Sequence, residues 1–441
     1  MKRVTLNSTD ENILKSIKEQ NLTQRNLEIK DFISALDMIE GNMFISLDAR
    51  WGEGKTFYVR QIEKTLEYQT MKKFGTEDIQ EEFEKIAPYF EKTTLEKIDL
   101  EYSYLPIYYD AWLYDNHSDP LLSLLYVVIK RCGKMINSKL TKEKSDRVKK
   151  LLQSVQVSIP FFSISGEKVV KAFSDKNIFE EIQLAEDMRN QVKLILDEVI
   201  IERTQKLVIF IDELDRCKPS YALEMLERIK HYFDDDRIIF VVSVNKEQLI
   251  HTISNYYGDG FDSTGYLNKF FDIDMYLPNT DGVERGINTY KSNQYWLINI
   301  ANELRQYYKL SLRDSLIYNE KIMQLSNDNL IQDQYHNGTY SGMYLSLFVP
   351  IVIILNMVDI EEKDKFINGE SQILDTLRKL PIIKQFFERF KNDGFRQIKA
   401  IYEYSFKEQD EDILKSINLS EEIVGKNIKQ DCLKRCVLKK Y

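Results

Sequence analysis

The chain has 441 residues, with 61 lysines and arginines against 70 aspartates and glutamates and a formal net charge of -9. That length suffices for at least one large core and two or three domains, and the spread acidic balance sets aside nonspecific nucleic-acid or anionic-lipid binding, leaving only a local basic groove open. Four cysteines make no disulfide framework, and Cys432 and Cys436 stand one helical turn apart with no histidines to complete a zinc site, so reduced thiols are expected.

Residues 1–24 form an N-terminal segment, MKRVTLNSTDENILKSIKEQ and the few residues after it, with no apolar stretch of signal-peptide length. The expected location is therefore the cytoplasm.

From residue 25 to about 280, short apolar runs bounded by turn residues alternate with helical patterns. The runs are MFISLD (Met43 to Asp48), YLPIYY (Tyr104 to Tyr109), LVIFID (Leu207 to Asp212) and IIFVVSV (Ile238 to Val244), with DIDMYL (Asp272 to Leu277) as a fifth, ended by Pro278. This alternation predicts an α/β fold with a parallel sheet covered on both faces. Two intervals exceed what a crossover needs. Residues 63–97 are glutamate-rich and helical in pattern, which predicts an excursion with a solvated outer face. Residues 120–203 carry several helices and the patch SVQVSIPFFSISGEK, which alternates like a strand or hairpin and has no evident place.

Residues 281–441 read as a helical C-terminal domain, with amphipathic helices at Ile287 to Tyr308, Leu312 to Leu325 and Ile373 to Tyr404. Met343 to Val358 is uncharged and strongly apolar. It falls short of the ~20 residues a bilayer span needs and Pro350 interrupts it, so a buried helix is expected in preference to membrane contact. The tail from Ser416 reads as a terminal helix or a loosely attached end.

The first motif is LDARWGEGKT, between the strand ending at Asp48 and the helical run FYVRQIEKTLEY. It approaches G-x-x-x-x-G-K-[ST], the loop whose backbone amides cradle a polyphosphate at a helix N-terminus. Gly52 and Gly54 let the backbone curl, Lys55 reaches the β and γ phosphates, and Thr56 offers its hydroxyl to Mg²⁺. Arg50, Trp51, Gly52, Glu53, Gly54, Lys55, Thr56 and Phe57 form the predicted nucleotide-binding set. Ala49 stands where the first glycine is usual.

The second motif is KLVIFIDELDRCKP. A strand ending in Asp-Glu sets Asp212 at the carboxyl edge of the sheet, beside the loop, where it holds the metal through water; Glu213 then polarises the attacking water. Asp215 and Arg216 extend the cluster, with capping or surface pairing as the competing reading. The strand ending at Asn245 supplies a polar tip that either contacts water and γ-phosphate or caps the next helix. Trp51 and Trp112 are expected to pack largely buried between helix and sheet, in preference to stacking near the nucleotide. His117, His231, His251 and His336 lack ligand spacing and receive no role.

These motifs together resemble the KAP family of P-loop NTPases over roughly residues 25–360: WGEGKT at Trp51 to Thr56, Asp110-Ala111-Trp112 after the second strand, DELDRCKP at Asp212 to Pro219, YLNKFFDIDMYLP, and LSLRDSLIY, whose Arg313 takes a sensor-like role by resemblance. The resemblance implies the additional-strand class of P-loop fold, with the strand after the carboxylate strand lying between it and the phosphate-loop strand. The chain departs from many relatives in lacking paired membrane helices between loop and acidic strand. The resemblance also implies a setting in mobile elements or phage defence.

The expected mechanism is ATP hydrolysis with Mg²⁺, in which Glu213 activates water while Lys55 and an arginine, Arg313 or Arg216, stabilise the transferred phosphoryl group. Self-association and a partner protein encoded nearby are expected alongside. The runner-up is a nucleotide-gated scaffold or switch with little turnover.

Overall fold

The computed structural model describes residues 8–19, 25–75, 79–136 except 118, scattered positions from 190 to 197, 205–277 except 259, 295–332 except 327, and 340–436 except 391–392, 408–410 and 426. The patch SVQVSIPFFSISGEK, Pro278 and His336 lie outside those residues. The chain divides into two compact units, Met1–Val283 and Glu284–Tyr441.

The first unit is built on five strands: β1 (Met43–Asp48), β2 (Tyr104–Asp110), β3 (Lys206–Asp212), β4 (Ile238–Val244) and β5 (Ile273–Tyr276). They form one all-parallel sheet in the order β2-β3-β4-β1-β5. The strand after the acidic one thus lies between it and the loop strand, as expected. β3 and β4 are buried throughout, which is why each reads as an unbroken apolar run. β5 is short and mostly exposed at the sheet edge.

Alternation along the strands divides the core between two faces. One face presents Ile45, Leu47, Phe210, Ile239 and Val241 to α1 (Asp10–Glu19), α2 (Asn26–Asp37) and α3 (Lys55–Phe74). The other presents Ile107, Ile209, Ile211, Phe240 and Val242 to α4 (Pro120–Ile136), α5 (Pro219–Tyr232) and α6 (Lys246–Tyr257).

The expectation of a solvated excursion from residue 63 is wrong over its first part. α3 continues to Phe74, and its Glu63, Lys64 and Glu67 are buried, because α1 covers the face turned away from the sheet. The charges are neutralised in place. Arg60 pairs with Asp10 and, at 2.5 Å, with Glu63; Lys64 reaches Asp10 at 2.9 Å and Glu67 at 3.0 Å; Arg131 of α4 pairs with Glu67. The later helix Gln80–Ile86 and the turn Ala87–Tyr89 after it have no buried residue.

The second unit is helical. Helices at Tyr295–Tyr307 and Leu312–Leu325 fall where helices were expected, residues 287–294 of the first lying outside the described residues, whereas the run from Ile373 to Tyr404 is three helices: Ile373–Leu377, Pro381–Glu388 and Gly394–Phe406. Pro381 starts one of them, and at Gly394 an added Cβ would fall 1.8 Å from the Phe387 carbonyl oxygen, so only glycine fits. Ser341–Val358 is one helix that runs on through Pro350, contrary to the expected interruption. It is long and apolar enough to cross a membrane, and 83% of it is buried as the centre of this unit's core. The tail is attached: Ile428 and Cys432 of helix Ile428–Cys436 enter that core, and Arg435 pairs with Asp328 at 2.9 Å.

Candidate functional site

Parallel strands carry their loops to one edge of the sheet, and the carboxyl ends of β1, β3 and β4 meet there. Asp48, the last residue of β1, accepts from the Lys246 amide at 2.9 Å, and the Ala49 amide donates to the Val244 carbonyl at 3.1 Å, so the loop entry is tied to the end of β4. Gly52 and Gly54 have φ of 83° and 87°, a region that disfavours any side chain. Ala49 is outside the left-handed region, so its Cβ brings no backbone strain to the loop. α3 begins at Lys55, directly after Gly54, and the unpaired amides of its first turn open onto the loop.

Lys55 Nζ donates to the carbonyls of Ala49 at 2.6 Å and Arg50 at 3.4 Å. Burial pulls the Lys55 pKa below the ordinary lysine value, against the opposing fields of Asp215, Asp212, Glu213 and Asp48. A single ammonium thus stands among four carboxylates contributed by the ends of β1 and β3.

Asp212 is fully buried, and burial raises its pKa. Its Oδ2 accepts from the Tyr108 hydroxyl at 3.1 Å, and its Oδ1 is buried without a hydrogen-bond partner. Glu213 follows with φ 60° and ψ 24°, a left-handed conformation costly for a residue with a Cβ. The carboxylate of Glu213 accepts from the Thr56 hydroxyl at 3.2 Å and pairs with Arg216 Nε. Burial and then the Asp212 charge push the Glu213 pKa up to about 7, with Arg216 opposing. Asp215 is buried and accepts from the Trp51 indole N–H.

The structure therefore gathers Trp51, Gly52, Gly54, Lys55, Thr56, Asp212 and Glu213 at one place. The remaining predicted residues take other positions. The Phe57 side chain is in the core beneath α3, Arg50 is exposed, and the Glu53 carbonyl accepts from Arg25 at 3.2 Å. Asn245 is buried at the tip of β4 and caps α6 by accepting from the Gln248 amide at 3.3 Å. Arg216 is held by Glu213 and lies 5.4 Å from the Trp112 ring centre. Arg313 belongs to the second unit, exposed on the first turn of Leu312–Leu325. The expectation of two buried tryptophans is overturned: Trp51 and Trp112 are 49% and 53% exposed. Both stand just past the carboxyl ends of β1 and β2, Trp51 hydrogen-bonded to Asp215 and Trp112 beneath the Arg216 guanidinium.

Sequence reasoning missed Arg25, Arg60, Tyr108 and Lys246. Arg25 is 1% exposed, placed at the start of α2 to grip the loop from behind. Lys246 reaches Asp274 at 2.8 Å and Asn268 at 3.3 Å, pinning β5. The one signal for Tyr108 was its place two residues before the end of a strand beside the acidic one.

The donors at the loop are a hydroxyl and carboxylates, hard oxygen ligands suited to a small divalent cation. Among the described residues no group of three or more His, Cys, Asp or Glu is placed to hold a metal.

Comparison with known proteins agrees with this geometry. An uncharacterized protein of Methanocaldococcus jannaschii is 28% identical over 159 aligned residues, which cover 28% of this chain and 82% of the relative. The KAP family P-loop domain matches residues 11–290, a span that holds the loop, the acidic strand and the whole sheet. By that match and by the strand order, this chain belongs to the KAP family of P-loop NTPases.

Proposed function

We propose that the chain binds ATP with Mg²⁺ and hydrolyses it. The observation that carries the reading is the meeting of Lys55 and Thr56 with Asp212 and Glu213, drawn from two strands that β4 separates. The loop amides and the first turn of α3 hold the phosphates, and Lys55 turns from its own loop carbonyls to their oxygens. Thr56 and the unpartnered Oδ1 of Asp212 suit the metal, directly or through water, and a bound Mg²⁺ would neutralise charge on the phosphates.

Glu213 takes the base role. Its backbone conformation turns the carboxylate toward Thr56, and Arg216 holds it from the other side. A general base is most effective when its pKa lies near the working pH, and this carboxyl is shifted in that direction. Arg216 therefore acts in its own subunit as a brace for Glu213.

A purified chain is expected to release phosphate from ATP in the presence of Mg²⁺, and Glu213→Gln is expected to bind ATP while losing nearly all turnover. Equal turnover in the two proteins would reduce the chain to a nucleotide-gated switch. Coupling of hydrolysis to self-assembly or to a partner protein, including in phage defence, is a further proposal. Oligomer mass with and without ATP tests its first step.

A further inference from the structure

We propose that Tyr108 is the positioning residue that aims Asp212 at the metal, and that Arg60 fixes Tyr108 in turn. The proposal rests on the reading of the loop as a Mg²⁺-nucleotide site.

Three observations carry it. In the β2–β3 pairing, Tyr108 stands opposite Phe210 and Asp110 opposite Asp212. Strand alternation then puts Tyr108 and Asp212 on the same face of the sheet, the one covered by α3, two positions apart along adjacent strands. A phenol spans that offset, and the Tyr108 hydroxyl donates to Asp212 Oδ2 at 3.1 Å. Second, Asp212 Oδ1 is buried without a hydrogen-bond partner; the Thr56 and Ser243 hydroxyls and the Glu213 amide also act on the carboxylate, and the phenol is the group that bonds Oδ2 from the neighbouring strand, leaving Oδ1 for a ligand. The terminal torsion of an aspartate is broad and roughly two-fold, so a hydrogen bond on one oxygen contributes to where the other points.

Third, Tyr108 is itself held. The Arg60 guanidinium lies 4.6 Å from the centre of its ring, within cation–π range. Arg60 is on α3, little more than one turn beyond Lys55, and is fixed by its pairs with Asp10 and Glu63. A cation over the ring withdraws electron density and strengthens the phenol as a donor. Burial and the Asp212 charge keep the phenol protonated, so it remains a donor at any physiological pH. A line of contacts therefore runs from α1 through Arg60 and Tyr108 to Asp212, and the helix that follows the phosphate loop also sets the aim of the metal carboxylate.

Tyr108→Phe isolates the contribution of one hydroxyl, because it keeps the ring and the Arg60 contact. The experiment measures equilibrium binding of a non-hydrolysable ATP analogue in MgCl₂ and in EDTA, for wild type and Tyr108→Phe, with the melting temperature of each. Loss of a partner that orients a metal ligand typically weakens metal affinity about 10–100-fold. The expected result is a metal-dependent gain in affinity that falls about 10-fold and a Mg²⁺ half-saturation that rises to match. Affinity in EDTA should stay within about two-fold of wild type, since the removed hydroxyl touches only the metal carboxylate. An unchanged metal-dependent gain in the variant overturns the assignment. So does an equal fall in both buffers, which marks a structural role. A wild type with no metal-dependent gain sinks the loop reading together with this one, and so separates the two failures.

Discussion

Thr56 and Glu213 are 157 residues apart in the chain and joined by a 3.2 Å hydrogen bond. One is the second residue of the helix that follows the loop and the other comes directly after the acidic strand, so the bond ties the proposed phosphate grip to the proposed base. It also makes the two residues separable by mutation. Lys55→Ala removes the one ammonium among the four carboxylates and is expected to weaken ATP binding by about 100-fold or more, in line with the loss of a charge-assisted contact in a buried site. Glu213→Gln keeps the hydrogen-bond acceptor for Thr56 and is expected to lower turnover about 100-fold or more with ATP affinity nearly unchanged. Titration of a fluorescent ATP analogue and a phosphate-release assay read the two effects. Lost binding in Glu213→Gln would move that residue from catalysis to the grip.

Arg25 supports the loop from a position that no motif marks. Its guanidinium donates to the Glu53 carbonyl while stacked 5.9 Å from the Tyr58 ring centre, and it is almost wholly buried. Arg25→Met preserves much of the packing volume and removes the donor. The expected effect is a loss of about 1 kcal/mol or somewhat more in stability, from a part-buried acceptor left without its donor, with ATP affinity reduced several-fold as the loop loosens. Denaturant melts and the same nucleotide titration test it. Unchanged affinity in a destabilised protein would confine Arg25 to the core.

What the sequence disclosed and what it withheld divide along physical lines. The ends of the strands were legible because fully buried parallel strands are continuous apolar runs, and the residues just past them, Lys55, Thr56, Asp212 and Glu213, follow from those ends. The charges of α3 were misread because burial of a polar helix face depends on which distant helix covers it, and α1 is joined to α3 by no local pattern. The exposure of Trp51 and Trp112 was misread for a related reason, since residue type predicts average burial and takes no account of a place just past the end of a strand. The left-handed backbone of Glu213 is imposed by the turn that follows β3, and no residue type there announces it.

The buried charges of α3 give stability a dependence on acid. Burial works to raise the Glu67 carboxyl, but Arg131 and Lys64 outweigh it and hold its pKa below the ordinary value of 4.5; Asp10 is lowered likewise by Lys64 and Arg60. A carboxyl with a depressed folded-state pKa stabilises the fold above its unfolded pKa, and that contribution is lost as pH falls through the folded value. Glu63, raised by burial, works in the opposite sense, so the acid-range loss belongs to Glu67 and Asp10. Stability is expected to be insensitive to these two groups above about pH 5 and to fall below about pH 4. Arg131→Met leaves Glu67 short of a partner and is expected to cost about 3–5 kcal/mol at neutral pH, with a smaller further loss on acidification than in wild type, because Glu67 is no longer held as far below its ordinary value. Urea midpoints from pH 3 to pH 7 decide it. A variant with parallel, merely displaced pH dependence would show that Arg131 acts through packing alone.

Asn245 holds two roles that one pair of substitutions separates. It caps α6 through the Gln248 amide, and it ends the strand between the loop and the acidic residues. Asn245→Ala removes both and is expected to cost about 1 kcal/mol in stability, the usual price of a lost cap, together with turnover. Asn245→Asp restores the cap, since aspartate is as good an acceptor at that position as asparagine. It also sets a further carboxylate close to Asp212 and Glu213 and removes a donor amide. If Asn245 serves only the helix, turnover returns with the melting temperature. The expected outcome is that stability returns and turnover does not, because an added negative charge beside the γ-phosphate opposes the charge that the site must stabilise. Recovery of both together would leave the capping hydrogen bond as the whole of this residue's contribution.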